Sequence, residues 1–346
     1  MSSYDMPYIR ENFRVGFRDT LGPAWHDVTG EFTYPAGIPM EDAREFLGWV
    51  PQKRALMVEG DNGEAVPLRK SWGRTPVAVT RPDTGALVGL MDENYPTTSY
   101  SERLLDGLSA ILDDSDLSIG SILVLDGGSK ASVQITMDDT TEIAGDSFRL
   151  WLAAYTSLDG SLKTTFKKGC TRVVCDNTLD LFTREGGAKY SYKNTANSGL
   201  QVATAREALQ IFTDMGSELS LTVEQMVDAA FSDGQWSQLL DALPTTSLTH
   251  LDGPKKGQEK DGRGKTRTEN TRMDITGIYH NDARVSEYTG TQWGSFQAFS
   301  TYNQHESTVQ KDDNELQRNA RKMLSGQTFD YDSMVMSAIG KVAAMA

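Results

Sequence analysis

Apolar positions along this chain follow two different rhythms, alternating in the first half and helical in the second. Phe13, Val15 and Phe17 alternate within an arm covering residues 1–22, as a strand or a partner-contacting segment does. Pro39 to Leu47 predicts a short helix with Pro in its first turn and Glu41 and Asp42 near its N-terminus, stopping at Gly48. Three hairpins follow. Ala55–Val58 and Glu64–Arg69 flank an Asp61-Asn62-Gly63 turn, Thr75–Thr80 and Ala86–Met91 flank Pro82-Asp83-Thr84-Gly85, and Ser118–Leu125 and Lys130–Met137 flank Asp126-Gly127-Gly128. Between the second and third, Leu104, Leu105, Leu108, Ile111 and Leu112 mark a helix from Tyr100 to Leu112. Phe148–Tyr155 continues as strand.

From there the rhythm is helical. Helices are expected over about 199–219, Thr222–Phe231, Trp236–Leu243, Arg272–Tyr279, Gln292–His305, Leu316–Leu324 and Tyr331–Ala346. The pattern gives an α+β fold: N-terminal β-hairpins with helices on one face and a mainly α C-terminal half. The expected organisation is an arm over 1–22, an α+β core over 23–198 and a helical region over 199–346 carrying a basic flexible loop over 253–272. A length of 346 residues suits two moderate domains or one large domain with insertions. A hydrophobic fraction of 38% is enough for a substantial core. No apolar run approaches the roughly 20 residues of a membrane-spanning helix, and the N-terminus lacks the apolar stretch of a signal peptide. The expected location is the cytoplasm, with no membrane partner.

Charge changes the picture. The chain carries a net −14, which favours solubility over general nucleic-acid binding. Two segments run against it. Residues 163–193 hold seven Lys or Arg against three Asp or Glu, and residues 255–272 hold seven against three, a local +4 in each. Two positive islands on an acidic body are the pattern of a localised polyanion track, or of two solvated loops.

Catalytic signatures are not legible. Gly262-Arg263-Gly264-Lys265-Thr266 resembles the end of a phosphate loop but lacks the preceding strand and the first Gly spacing. His26, His250, His280 and His305 include no pair at the i, i+4 spacing of a helical zinc site, and no metal or cofactor is expected. His305-Glu306 reads as a helix end. The thiols Cys170 and Cys175 are five apart, not the two-residue gap of a redox or zinc motif, and read as small buried side chains. Asp138, Asp139 and Glu142 with Lys130 are the acids and lysine that a divalent-cation nuclease would need, a weak third reading. Trp293, Phe296, Phe299 and Tyr302 share one helical face and read as core or subunit contact rather than as a base-stacking platform.

Several segments together carry a resemblance. They are Pro23-Ala24-Trp25-His26, then Thr171-Arg172-Val173-Val174-Cys175-Asp176-Asn177-Thr178-Leu179, then Lys193-Asn194-Thr195-Ala196-Asn197, and finally Gly290-Thr291-Gln292-Trp293-Gly294-Ser295-Phe296-Gln297-Ala298 with Tyr302 and His305. In this order they resemble the phage/plasmid-like family, a domain of unknown function in bacteria, prophages and phages. Asp176 and Asn194 depart from the residues common in relatives. The resemblance implies mobile-element biology without a fixed reaction.

The expectation drawn from it is a phage single-strand annealing protein of the RecT/Redβ type, with an annealase-like core and no catalytic residues. Annealing needs a positive groove that holds one strand extended with its base edges free. Lys163, Lys167, Lys168, Arg172 and Lys193 are the expected groove, and Lys255, Lys256, Arg263, Lys265 and Arg267 the expected capture site for a second strand. The expected partners are single-stranded DNA and further copies of the chain in a ring-shaped homo-oligomer. The competing expectation is a non-enzymatic structural or host-interaction oligomer that does not bind DNA.

Overall fold

The computed structural model describes residues 13–17, 33–69, 74–112, 116–173, 177–179, 191–192, 205–243, 263–307 and 315–345. They comprise strands β1 (Phe13–Val15), β2 (Gln52–Ala55), β3 (Met57–Glu59), β4 (Ala65–Pro67), β5 (Pro76–Thr80), β6 (Leu87–Asp92), β7 (Leu117–Leu125), β8 (Lys130–Met137), β9 (Thr141–Ile143), β10 (Asp146–Ser157), β11 (Thr164–Arg172), β12 (Asn177–Leu179) and β13 (Ser191–Tyr192). The helices are α1 (Met40–Leu47), α2 (Asp106–Leu112), α3 (Ala205–Asp228), α4 (Asp233–Ala242), α5 (Arg263–Asn281), α6 (Gln292–Thr301), α7 (Glu315–Ser325) and α8 (Gln327–Ala343). The fold is α+β. An antiparallel sheet has the order β1-β7-β8-β10-β11-β12, with β13 on β11 and β9 on β10. A second sheet has the order β2-β5-β6, and β3 and β4 form a two-stranded ribbon.

The chain divides into two compact units, and it crosses from one to the other within β10 and β11. The first holds residues 1–139, 151–168 and 186–213; the second holds 140–150, 169–185 and 214–346.

In the first unit all three predicted hairpins are present. Each turn is made by glycine in the left-handed region that other residues adopt only at a cost: Gly63 at φ 75°, Gly85 at 71° and Gly127 at 66°. β7 and β8 pair in register from Leu117 against Met137 to Leu125 against Lys130, with one slip between Ile119 and Ser121. Gly120 is the extra residue there, and a side chain on it would stand 2.8 Å from the Thr136 methyl carbon. Ile122, Leu123, Val124 and Leu125 of β7 are all buried, as are Val133 and Ile135 of β8. Leu104 and Leu105, in a π turn over Ser101–Leu105, are buried too, as is Leu108 of α2. Phe13 and Val15 of β1 are buried and pair with β7, so the alternation in the N-terminal arm marks a strand.

The second unit is organised around α6. From Trp293 to Thr301 every residue of this helix is buried, polar ones included. The Thr291 hydroxyl caps it by accepting from the Gly294 amide at 3.0 Å. Trp236 of α4 stacks on Tyr279 of α5 with ring centroids 4.0 Å apart and also meets Phe299 of α6. Val335, Ile339 and Val342 of α8 complete the core, with Tyr331 donating to the Phe299 carbonyl. The aromatic positions predicted to share one face are therefore interior; Trp293, Phe296 and Phe299 are fully buried.

Two helix boundaries differ from the sequence expectation. The separate helices over 199–219 and 222–231 are one continuous helix, α3. The segment assigned to a loop over 253–272 is helical from Arg263 onward. Among the described residues no helix is long and apolar enough to cross a membrane.

Candidate nucleic-acid interface

Of the ten cations expected to form the interface, four have described side chains: one is exposed, one half-buried and two buried. Lys163 is exposed, just before β11. Lys167 and Lys168 are neighbours on β11, and successive strand residues point to opposite faces. Lys167 is buried, its ammonium 5.8 Å from the centre of the Tyr155 ring, and Lys168 is half-buried. The two do not line one groove. Lys193, Lys255 and Lys256 lie outside the described residues. Arg263, Lys265 and Arg267 fall in the first turns of α5, where the backbone is described and the side chains are not.

Arg172 is drawn inward. Its side chain is 2% exposed, so its guanidinium is not a surface phosphate contact. Nε and Nη2 donate to the two carboxylate oxygens of Asp146 at 2.7 and 2.5 Å, and Nη1 donates to the Arg284 carbonyl at 2.6 Å. This is the planar two-point pairing that suits arginine. Trp293 Nε1 donates to the same Asp146 carboxylate at 3.3 Å. The Arg172 guanidinium also lies 5.4 Å from the centre of the Tyr288 ring.

Local structure explains how these groups meet. β9 and β10 form a tight hairpin whose two central residues, Ala144 at φ 50° and Gly145 at φ 88°, both sit in the left-handed region. That is the backbone pattern of the turn that matches strand twist. Alanine is strained there, and Tyr288 holds the turn by donating to the Ala144 carbonyl at 3.2 Å. Asp146 begins β10 and Arg172 ends β11, while the Val173 amide donates to the Ser147 carbonyl at 2.8 Å. The 290–298 and 171–179 segments, far apart in sequence, therefore meet on one carboxylate.

Around this pair the charges are locally balanced. Arg284 pairs with Asp282 at 2.5 Å and reaches Glu306 at 3.9 Å. The Arg284 guanidinium beside Asp282 holds that carboxyl below its usual range, and the field of His305 acts in the same direction. His305 and Glu306 end a π turn over Tyr302–Glu306 that continues α6, as the sequence predicts, and they sit in a charged neighbourhood with Asp282 and Arg284. Burial, and then the negative charge of Asp146, push the Tyr288 hydroxyl up to about 12. Folding is therefore favoured while this phenol stays protonated, and the contribution fades between pH 10 and pH 12. There the unfolded chain releases a proton that the folded chain keeps. Urea midpoints at pH 9, 10 and 11 are expected to fall more steeply for the wild type than for Tyr288→Phe, and equal slopes would contradict the assignment.

Other groups singled out in the sequence are engaged elsewhere. Lys130 pairs with Asp126 at 2.5 Å. Asp138 accepts from the Ser118 hydroxyl at 2.7 Å, and Glu142 accepts from Ser147 and Thr140. Among the described residues no group of three or more His, Cys, Asp or Glu is placed to hold a metal ion. Cys170 is buried, and Cys175 lies outside the described residues.

An antiparallel sheet, a helix α6 buried from Trp293 to Thr301 and an ion pair buried on both sides belong to an α+β protein. Residues 88–324, more than half of the chain, match the model of a family described as a domain of unknown function (DUF932), and the chain belongs to that family. Asp146, Arg172, Tyr288 and Trp293 all fall within the matched range. No curated protein and no solved structure matches.

Proposed function

We propose that the protein is a non-enzymatic single-stranded-DNA-binding protein of the annealing class. The observation that carries this reading is the start of α5. Arg263, Lys265 and Arg267 occupy its first five residues, and its first turn contains no acid. Cations at the positive end of a helix are unfavourable by themselves, whereas a bound anion is favourable at the same place. A phosphate backbone relieves both the dipole and the charge crowding. Lys163 and Lys168 supply a separate contact in the first unit, weaker because Lys167 and Arg172 are turned to internal partners. Homo-oligomerisation would multiply these few contacts along one strand.

Fluorescence anisotropy with a labelled oligonucleotide tests the assignment. Lys265→Ala with Arg267→Ala is expected to weaken binding about tenfold or more, roughly two lost phosphate contacts at low salt. Lys163→Ala with Lys168→Ala is expected to have the smaller effect. Unchanged affinity in the α5 variant would contradict the reading.

One observation favours a second reading, an interaction oligomer that does not bind DNA. Of the four cations of the expected interface whose side chains are described, two, Lys167 and Arg172, are buried in a chain of net charge −14. Absence of binding to the oligonucleotide at low salt would select it.

A further inference from the structure

We propose that the strand segment from Gln52 to Glu59 is a homotypic docking edge. A second copy of the chain adds its own 52–59 segment antiparallel to it, with Leu56 on the two-fold axis. This inference is independent of DNA binding.

Backbone parity carries the first part of the argument. The Leu56 carbonyl accepts from the Leu68 amide at 2.7 Å, and the Gly60 amide donates to the Glu64 carbonyl at 2.7 Å, so these even-numbered residues bond towards β4. Just before β5 the Thr75 carbonyl accepts from the Glu93 amide just after β6, which turns the odd-numbered residues of β5 towards β6 and leaves Ala78 turned towards β2. Ala78 opposes Arg54, another even-numbered residue. β2, Leu56 and β3 thus form one extended run that uses a single edge for both β5 and β4. Lys53, Ala55, Met57 and Glu59 turn their amides and carbonyls to the opposite edge. Among the described residues no strand pairs there. An edge of this kind is a template for another strand.

Exposure carries the second part. Every residue of the run except half-buried Leu56 is exposed, including Met57 at 51% and Val58 at 41%. A two-stranded ribbon such as β3–β4 is only marginally stable in water, and further strands stabilise it.

Charge selects the occupant. The run carries Lys53 and Arg54 near its start and ends with Glu59, and the ribbon's tip adds Asp61 and Glu64. Antiparallel pairing about Leu56 sets Lys53 of each copy opposite Glu59 of the other and Ala55 opposite Met57. The segment is therefore complementary to itself, as a two-fold interface requires. The Lys53 ammonium also donates to the Glu93 carbonyl at 2.7 Å, an exposed bond it can share or exchange.

The test is the mass of the full chain by light scattering over a concentration series. The wild type is expected to dimerise. Lys53→Glu and Glu59→Lys each place like charges opposite one another twice per dimer and are expected to weaken association about tenfold or more, while the double swap restores it. Leu56→Cys is expected to give a disulfide-linked dimer on mild oxidation, and Gln52→Cys much less of one. A wild type that stays monomeric at all concentrations would overturn the proposal. A dimer indifferent to both single charge reversals would overturn it too.

Discussion

Replacing Arg172 by alanine is expected to cost about 3–5 kcal/mol of stability, because it strands the buried Asp146 carboxylate without its counter-charge. The side chains of the pair are 2% and 5% exposed, so water cannot take over the lost bonds. Trp293 remains as a donor to the carboxylate, but a neutral indole does not balance a charge. The Arg284 carbonyl loses the Arg172 donor as well. The expected readout is a lowered urea midpoint at 25 °C. Asp146→Leu combined with Arg172→Met is expected to recover at least about half of the loss, since an apolar pair of similar volume carries no desolvation penalty. A loss below about 1 kcal/mol for the single variant, in the range of exposed ion pairs, would mean that the pair is open to solvent.

The second large effect is expected at Trp293. Trp293→Ala should cost about 3–5 kcal/mol, the range for truncating a buried aromatic. The ring is fully buried, 6.1 Å from Phe148 of β10 and 5.7 Å from Phe296 by centroids. Its loss leaves a cavity and also removes a donor from Asp146. Trp293→Phe separates the two terms. It keeps most of the apolar volume and loses the hydrogen bond, so about 1–3 kcal/mol is expected. If phenylalanine proves as damaging as alanine, the indole nitrogen rather than packing dominates.

The legible parts of the fold were those fixed by local backbone chemistry. Gly63, Gly85 and Gly127 announce their turns because only glycine enters the left-handed region cheaply. The β9–β10 hairpin was missed because its turn is Ala144-Gly145, without the Asn-Gly or Asp-Gly signal, and because Tyr288 stabilises it from far along the chain. The break expected near Ser220 does not occur for a local reason. The Thr222 hydroxyl donates back to the Glu218 carbonyl and the Ser220 hydroxyl donates to Glu224, so both polar side chains are satisfied within the helix.

The candidate interface was less legible, and Arg172 shows why. Counting charge treats every cation as a surface group, yet Arg172 has an acid partner 26 residues earlier. Strand alternation alone separates Lys167 from Lys168. The inward place of Arg172 depends on Asp146, whose position at the mouth of a hairpin carries no composition signal. Read physically, the Thr171–Leu179 and Gly290–Ala298 segments contribute Arg172 and Trp293 to one buried polar junction.

The most direct measurement is the affinity of the full chain for a labelled single-stranded oligonucleotide at 50 and at 200 mM salt. With four to six phosphate contacts on a single strand, binding is expected to weaken about 50-fold to 300-fold over that range. An affinity that does not change with salt, or no binding at 50 mM, would contradict the proposed function.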